Sequence, residues 1–212
     1  MPTSLEEVLE KFKYKENEII VSIDVGINNM AIISAIIENN TIKSVETCDI
    51  VNIKDETEYC CNSMCKLQHG KNAIDWVGHF LYKYKQILDQ STVILIEQQP
   101  PGGLQHIEIL IIKEYRNKII NISPRSLHTW MLFEKNISYE KRKEKMVIRA
   151  EPYLKEKENW KNNIRQHDIA DALCFILFYL GQKQIEEPTL NISSKDYFSQ
   201  ILDNFRYQNN LS

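Results

Sequence analysis

Several features that would place a protein quickly are missing from this sequence. No uninterrupted apolar run approaches the roughly 20 residues needed to cross a bilayer; the most apolar stretch, 170–180, is too short. Residues 1–18 are charged and lack the apolar centre of a secretory signal. A soluble intracellular protein with no membrane partner is therefore expected. There is no excess of positive charge: 26 Lys and Arg stand against 29 Asp and Glu, a net charge of −3 at pH 7. That balance excludes a general attraction to nucleic acid or anionic lipid, so any such binding must come from a local patch. Internal repeats and low-complexity segments are absent, as are the glycine-rich phosphate loops of a sugar-kinase-like ATPase.

Paired CxxC motifs are also lacking. The five cysteines are Cys48, Cys60, Cys61, Cys65 and Cys174. An odd count without a secretory signal argues against a disulfide framework. Cys61, Cys65 and His69 fall at i, i+4 and i+8 and would share a face if their segment were helical. Cys60 or Cys48 could then complete a structural zinc site. Without a paired motif zinc is the lesser reading, and an exposed or half-buried cysteine loop the greater. Cys174, in an apolar helical run, reads as a small core residue.

What is present is an ordinary globular composition, 43% hydrophobic and 26% charged, in 212 residues. That suffices for one domain with extensions. Residues 1–18 suggest a short amphipathic extension with Ser4 as a cap, residues 19–182 a single domain, and residues 183–212 a polar tail with scattered aromatics. Within the domain, 19–25 reads as a strand. Its alternation puts Ile19, Val21, Ile23 and Val25 on one face, and Ile20, Ser22 and Asp24 on the other. Strands follow at 31–37 and 42–53, joined at Asn39-Asn40, which together suggest an antiparallel meander. Residues 54–69 look like an inserted loop or short helix. The spacing of Ile74, Val77, Leu81, Tyr84 and Leu88 predicts a helix over 72–88.

A β-branched run at 92–96 then predicts a buried strand, ended by Glu97 and stopped by Pro100, Pro101, Gly102 and Gly103. A helix is expected over 104–115, a strand over 118–122, a helix from Pro124 to about 133, and partial helix over 139–154. The last helix, about 165–182, is apolar nearly all round beyond Asp171, with Gly181 at its end.

The acids carry the chemistry. Asp24 and Glu97 each end a hydrophobic strand, and Asp168 and Asp171 lie one turn apart at the start of the last helix. Taken alone, an acidic first turn is common, because the helix dipole favours it. Buried carboxylates that converge, however, must take up protons or bind a cation. An all-oxygen ligand set suits Mg²⁺ or Mn²⁺, and paired ions of that kind serve phosphodiester hydrolysis. The element order, with three strands followed by alternating helices and strands, matches a ribonuclease H-like α/β fold. Its mixed five-stranded sheet would combine an antiparallel meander with parallel strands, flanked by helices.

Three stretches, Ser22-Ile23-Asp24-Val25-Gly26-Ile27-Asn28-Asn29-Met30-Ala31, Ile96-Glu97-Gln98-Gln99-Pro100 and His167-Asp168-Ile169-Ala170-Asp171-Ala172, resemble the poxvirus Holliday junction resolvases. These form part of the RuvC-type branch of the ribonuclease H-like superfamily. The likeness covers roughly residues 19–182, and fungal mitochondrial resolvases are similar in the first two motifs. It implies a homodimeric, Mg²⁺-dependent endonuclease that nicks opposed strands of a four-way DNA junction and leaves 5′-phosphates and 3′-hydroxyls. It places metal ligation on Asp24, Glu97, Asp168 and Asp171. It also implies a catalytic basic residue upstream of the last acids, for which Lys141, Arg142, Lys143 and Lys145 are candidates, Lys143 being chosen. A viral source would put the protein at sites of viral DNA replication or in the virion.

The run Lys141-Arg142-Lys143-Glu144-Lys145, with Arg149, is the one local basic patch and the candidate DNA-backbone contact; Lys113, Arg116 and Lys118 could extend it. His167, Gln98, Gln99 and the Pro-Gly loop are further candidates for the DNA or metal side, although capping and turn formation explain them equally well. The helix over 104–115 is the candidate subunit interface. Two other readings stay open: a nuclease acting on RNA or an RNA–DNA hybrid, and a catalytically silent junction-binding protein.

Overall fold

The computed structural model describes residues 18–58, 65–134 and 136–186. The N-terminal extension before Glu18, the pair Cys60-Cys61 and the tail beyond Glu186 lie outside the described residues.

Three antiparallel strands open the fold: β1 (Glu18–Asp24), β2 (Met30–Glu38) and β3 (Thr41–Val51). Asn39 and Asn40 join the last two, both with left-handed φ, 50° and 58°. A two-residue hairpin turn requires that conformation, and Asn tolerates it better than most residues. After the short helix α1 (Asp55–Glu58) the chain forms α2 (Ala73–Lys83) and α3 (Lys85–Gln90). It then enters the sheet as β4 (Val93–Glu97), parallel to β1. Helix α4 (Gln105–Tyr115) crosses over to β5 (Ile119–Ile122), parallel to β4. Helices α5 (Pro124–Trp130), α6 (Tyr139–Leu154), α7 (Glu158–Lys161) and α8 (Gln166–Glu186) follow. The sheet order is β3-β2-β1-β4-β5, the mixed five-stranded arrangement expected from the sequence.

Alternation along β1 and β4 divides the core into two layers. Val21, Ile23, Ile94 and Ile96 pack against Val77 and Phe80 of α2 and Ile107 and Ile111 of α4. Ile20 and Leu95 point the other way, into Ile169, Leu173 and Ile176 of α8 and Met146 of α6. Asp24 and Glu97 share the parity of Ile20 and Leu95, so both carboxyls emerge on the α8 side. Those three α8 side chains are fully buried, at roughly 1.5–3 kcal/mol each relative to exposure, which fixes the first turn of α8 against the sheet.

Some helix boundaries differ from the sequence reading. The helix expected over 72–88 breaks at Tyr84, whose hydroxyl donates to Asp49 Oδ2 at 3.0 Å. Helix α5 stops at Trp130, and Leu132 takes a left-handed φ of 54°. The partial helix expected over 139–154 is helical throughout as α6, with Pro152 in its final turn. The short α7, anchored by buried Trp160, has no counterpart in the sequence reading. Gly181 does not end α8, which runs on to Glu186. A Cβ at Gly181 would lie 2.9 Å from the Trp130 ring, so close packing explains this glycine. Cys174 is a core residue as expected.

Candidate active site

Parallel pairing sets the two strand-end acids side by side. Ile23 is in register with Ile96, so the next residue of each strand, Asp24 and Glu97, stands at the same edge. The carboxyls share a hydrogen bond, which adds to the burial-driven rise of Asp24 and opposes that of Glu97. Helix α8 brings its first turn over this edge, where oxygens of Asp24, Asp168 and Asp171 lie within 4.8 Å of one another. Glu97 adjoins the group through Asp24. Among the described residues, the sequence-selected acids therefore meet at one place.

Burial dominates their electrostatics. Asp24 is pushed well above the usual carboxylate range, first by burial and then by the charges of Glu97 and Asp171. Glu97 and Asp171 are also raised by burial, against the pull of hydrogen bonds and of Lys143. Oxygen donors crowded together and resisting ionisation are a fit for a hard divalent cation, which would relieve both the desolvation and the mutual repulsion.

These acids have basic partners. Lys143 Nζ, reaching across from α6, donates to Asp171 Oδ2. Burial pulls the Lys143 ammonium down, but Asp171 and Asp24 together hold it above its ordinary value. Arg165 Nε donates to Asp168 Oδ2 at 2.6 Å, and His167 Nε2 lies 3.2 Å from Asp168 Oδ1. Gln99, buried, donates its side-chain amide to Glu97 Oε2 at 2.6 Å.

A cleft of about 200 Å³ opens beside the acids, lined by Glu97, His128, Tyr139, Arg142, Lys143 and Asp171 among others. Arg142 and Lys143 both sit over the Tyr139 ring, at 5.3 and 5.5 Å from its centroid. Of the remaining basic candidates, Lys141, Lys145 and Arg149 are exposed and spaced four apart on α6, so they form one outward row beside the cleft. Lys113, Arg116 and Lys118 do not extend it. They lie where β5 begins, at the opposite end of the strands from Glu97, and Lys118 Nζ donates to the carbonyls of Leu88 and Asp89.

Sequence reasoning missed four contributors. Glu108, buried on α4, accepts the backbone N–H of Gln99 at 3.1 Å and the Asn121 amide at 3.3 Å, and so fixes the loop after Glu97. Its signal was legible, for Glu108 falls on the same stripe as Leu104, Ile107 and Ile111. Arg165 is a second, one helical turn before Asp168. His128 and Tyr139 had no local signal. His128, in the cleft wall, is held below the ordinary imidazole value by burial and by Arg142 and Lys143.

No protein-family model matches the sequence, and no curated protein does either. Solved structures do. The fowlpox virus resolvase in complex with substrate Holliday junction DNA is similar at 19% identity and a TM-score of 0.55, over 77% of this chain and 97% of that one. This is the ribonuclease H-like fold of the Holliday junction resolvases. Thermus thermophilus RuvC is similar at 14% identity and a TM-score of 0.51, covering 79% and 96% of the two chains. The yeast mitochondrial Holliday junction resolvase is similar at 17% identity and a TM-score of 0.51, covering 84% and 86%. At the level of fold, the resemblance seen in the three sequence motifs is borne out. Among the described residues, no helix is long and apolar enough to cross a membrane.

Proposed function

We propose that this protein is a structure-specific endonuclease that resolves four-way DNA junctions by paired, symmetric nicks, through divalent-metal-dependent phosphodiester hydrolysis. The observation that carries the reading is the meeting of Asp24, Asp168 and Asp171, with Glu97 beside them and Lys143 in contact, at the end of two parallel strands in a resolvase fold. Asp24, Glu97, Asp168 and Asp171 would hold Mg²⁺ or Mn²⁺. Such a cation, when bound, favours ionisation of an attacking water and stabilises charge on the leaving oxygen.

The chain's own residues supply the rest. Lys143 orients Asp171 and favours its charged form against burial, and its charge also faces Asp24 and Glu97. Its remaining donors are free to meet a phosphate oxygen in the cleft. Arg142 and the outward row Lys141, Lys145 and Arg149 would take neighbouring phosphates, without reading sequence. Gln99 and Glu108 hold Glu97 and the following loop in place. Fowlpox virus resolvase and Thermus RuvC are both known as complexes with Holliday junction DNA, which supports a branched duplex as the substrate here. Paired cuts call for two sites, so the active form is a homodimer. Helix α4, with Ile109 left 61% exposed, is the surface best suited to join the subunits.

The deciding experiment offers the purified chain a synthetic four-way junction, a linear duplex and an RNA–DNA hybrid with Mg²⁺. Symmetric nicks in the junction, leaving 5′-phosphates and 3′-hydroxyls, and their loss in Asp24→Asn, Glu97→Gln and Asp171→Asn, are expected. Equal cutting of linear duplex, preference for the hybrid, or undiminished cutting by all three variants would overturn the reading.

A further inference from the structure

On the α2 side of the sheet, opposite the layer that carries the acidic cluster, three side chains of another kind converge. Ligand atoms of Cys65, His69 and His79 lie within 4.8 Å of one another. We infer that Cys65, His69 and His79 form a zinc site that clamps the segment before α2 onto that helix, a role separate from the proposed nuclease chemistry and not dependent on it.

The geometry supports a shared ion rather than a chance contact. Cys65 Sγ lies 3.8 Å from His79 Nε2. Zinc bonds of about 2.3 Å to sulfur and 2.05 Å to nitrogen, opened to the tetrahedral angle, put those atoms roughly 3.6 Å apart. The His69 and His79 rings meet edge to face at 4.6 Å between centroids, an approach that lets a nitrogen of each turn to one point. His79 is buried, and its Nδ1 is 2.7 Å from the Asp75 carbonyl. A carbonyl only accepts, so Nδ1 carries the proton and the Nε2 lone pair faces Cys65. Fixing the tautomer of a ligating histidine through a backbone carbonyl is a recurrent support of zinc sites.

The donor set selects the metal class. One thiolate and two imidazoles suit a borderline-soft ion such as Zn²⁺ and offer nothing to Mg²⁺. On binding, the Cys65 thiol gives up its proton to solvent. The three ligands leave a fourth tetrahedral position for a water or a further side chain. The sequence grouping at i, i+4 and i+8 is corrected in two respects. Residues 65–72 form no regular secondary structure, so Cys65 and His69 do not meet as neighbours on a helix. Cys48 takes no part, since it sits buried on β3 in the α8-side core, where burial raises its thiol to about 11. The ligand absent from that grouping is His79, brought in by α2. Residues 65–72 have no regular secondary structure to hold them, and a metal clamp there supplies what a helix would otherwise provide.

The test is metal analysis of the full-length protein, purified without chelator, by inductively coupled plasma mass spectrometry. About one zinc per chain is expected, and Co²⁺ added to the zinc-free protein should give the visible bands of a tetrahedral, thiolate-ligated ion. Cys65→Ser, His79→Gln and His69→Ala should each lose the zinc, while Asp24→Asn retains it. His69 is exposed, so His69→Ala leaves the fold intact by circular dichroism even where replacing buried His79 does not. Zinc far below one per chain with no tetrahedral Co²⁺ spectrum, or a zinc content that His69→Ala and Cys65→Ser leave unchanged, would overturn the inference.

Discussion

Lys143 on α6 and Asp171 on α8 form an ion pair over the edge of the sheet, both side chains mostly buried, at 19% and 15% exposure. The pair opposes the burial that raises Asp171, without cancelling it. Replacing Lys143 with Met leaves Asp171 buried without its counter-charge, and removes a charge that also lowers Asp24 and Glu97. Junction cutting is expected to fall by about 10²–10³, the usual loss for one preorganised charge donor at a reacting phosphate or oxyanion. The acid limb of the pH–rate profile should also move to higher pH. Rate profiles of Lys143→Met and wild type check both, and a rate loss with an unmoved acid limb would count against this role.

Linkage gives the sign of the pH effect on stability. Asp24, Glu97 and Asp171 have folded-state values above their ordinary ones. The folded protein therefore holds more protons than the unfolded chain between the two values, and these groups lose stability as pH rises through that window. Without divalent metal, melting temperature should fall as pH rises from the ordinary carboxylate range toward neutrality. Lys143, raised above its ordinary value, contributes stability that is full below that value and lost only in alkali, outside this window. Mg²⁺ should raise the melting temperature more at neutral than at acidic pH. In EDTA, Asp24→Asn should melt higher than wild type and should lose most of the Mg²⁺ response. Differential scanning fluorimetry across pH, with EDTA or Mg²⁺, reads all of these.

The contrast between what was and was not legible has a physical origin. Asp24 and Glu97 could be found because strand periodicity is local: Ile20 and Leu95 already state which face each acid shares. Asp168 and Asp171 could be found because one helical turn places them together. Lys143 could be narrowed only to a basic run, because its choice depends on how α6 crosses α8. The partnership of Glu108 with Gln99 and Asn121 joins a helix, a loop and a strand, and no single window contains it. Tyr84 and Gly181 misled for the same reason. Tyr84 interrupts a helix in favour of a bond to Asp49 on β3, and Gly181 answers to the Trp130 ring rather than to helix termination.

Glu108 offers a test of positioning at a residue outside the acid cluster. Its two oxygens accept from Gln99 and Asn121, so Glu108→Ala leaves the buried Gln99 N–H unpaired, at a cost of about 1–3 kcal/mol. Glu108→Gln retains one acceptor and should recover part of that loss. Cutting should fall in the same order, with Ala more impaired than Gln, because the loop that sets Glu97 loosens. Denaturant melts and junction-cleavage rates on both variants decide it. Equal stability of Ala and wild type would show that Glu108 does not hold the loop.

Gly26 follows Asp24 by two residues, in the turn between β1 and β2. A Cβ there would stand 2.3 Å from the Asn29 carbonyl oxygen and 2.7 Å from its carbon. Backbone cannot yield as a flexible side-chain tip can, so Gly26→Ala must reshape the turn that fixes the end of β1. The cost should be of the order of 1–3 kcal/mol, as for other overpacked sites, with a disproportionate loss of cutting because Asp24 moves with the turn. Gly102 is the matched control. It takes a left-handed φ of 81° but has nothing within 4 Å of its Cβ position, so Gly102→Ala carries only the backbone penalty of about 1 kcal/mol. If Gly26→Ala cuts as well as Gly102→Ala at equal folded fraction, the turn does not govern the placement of Asp24.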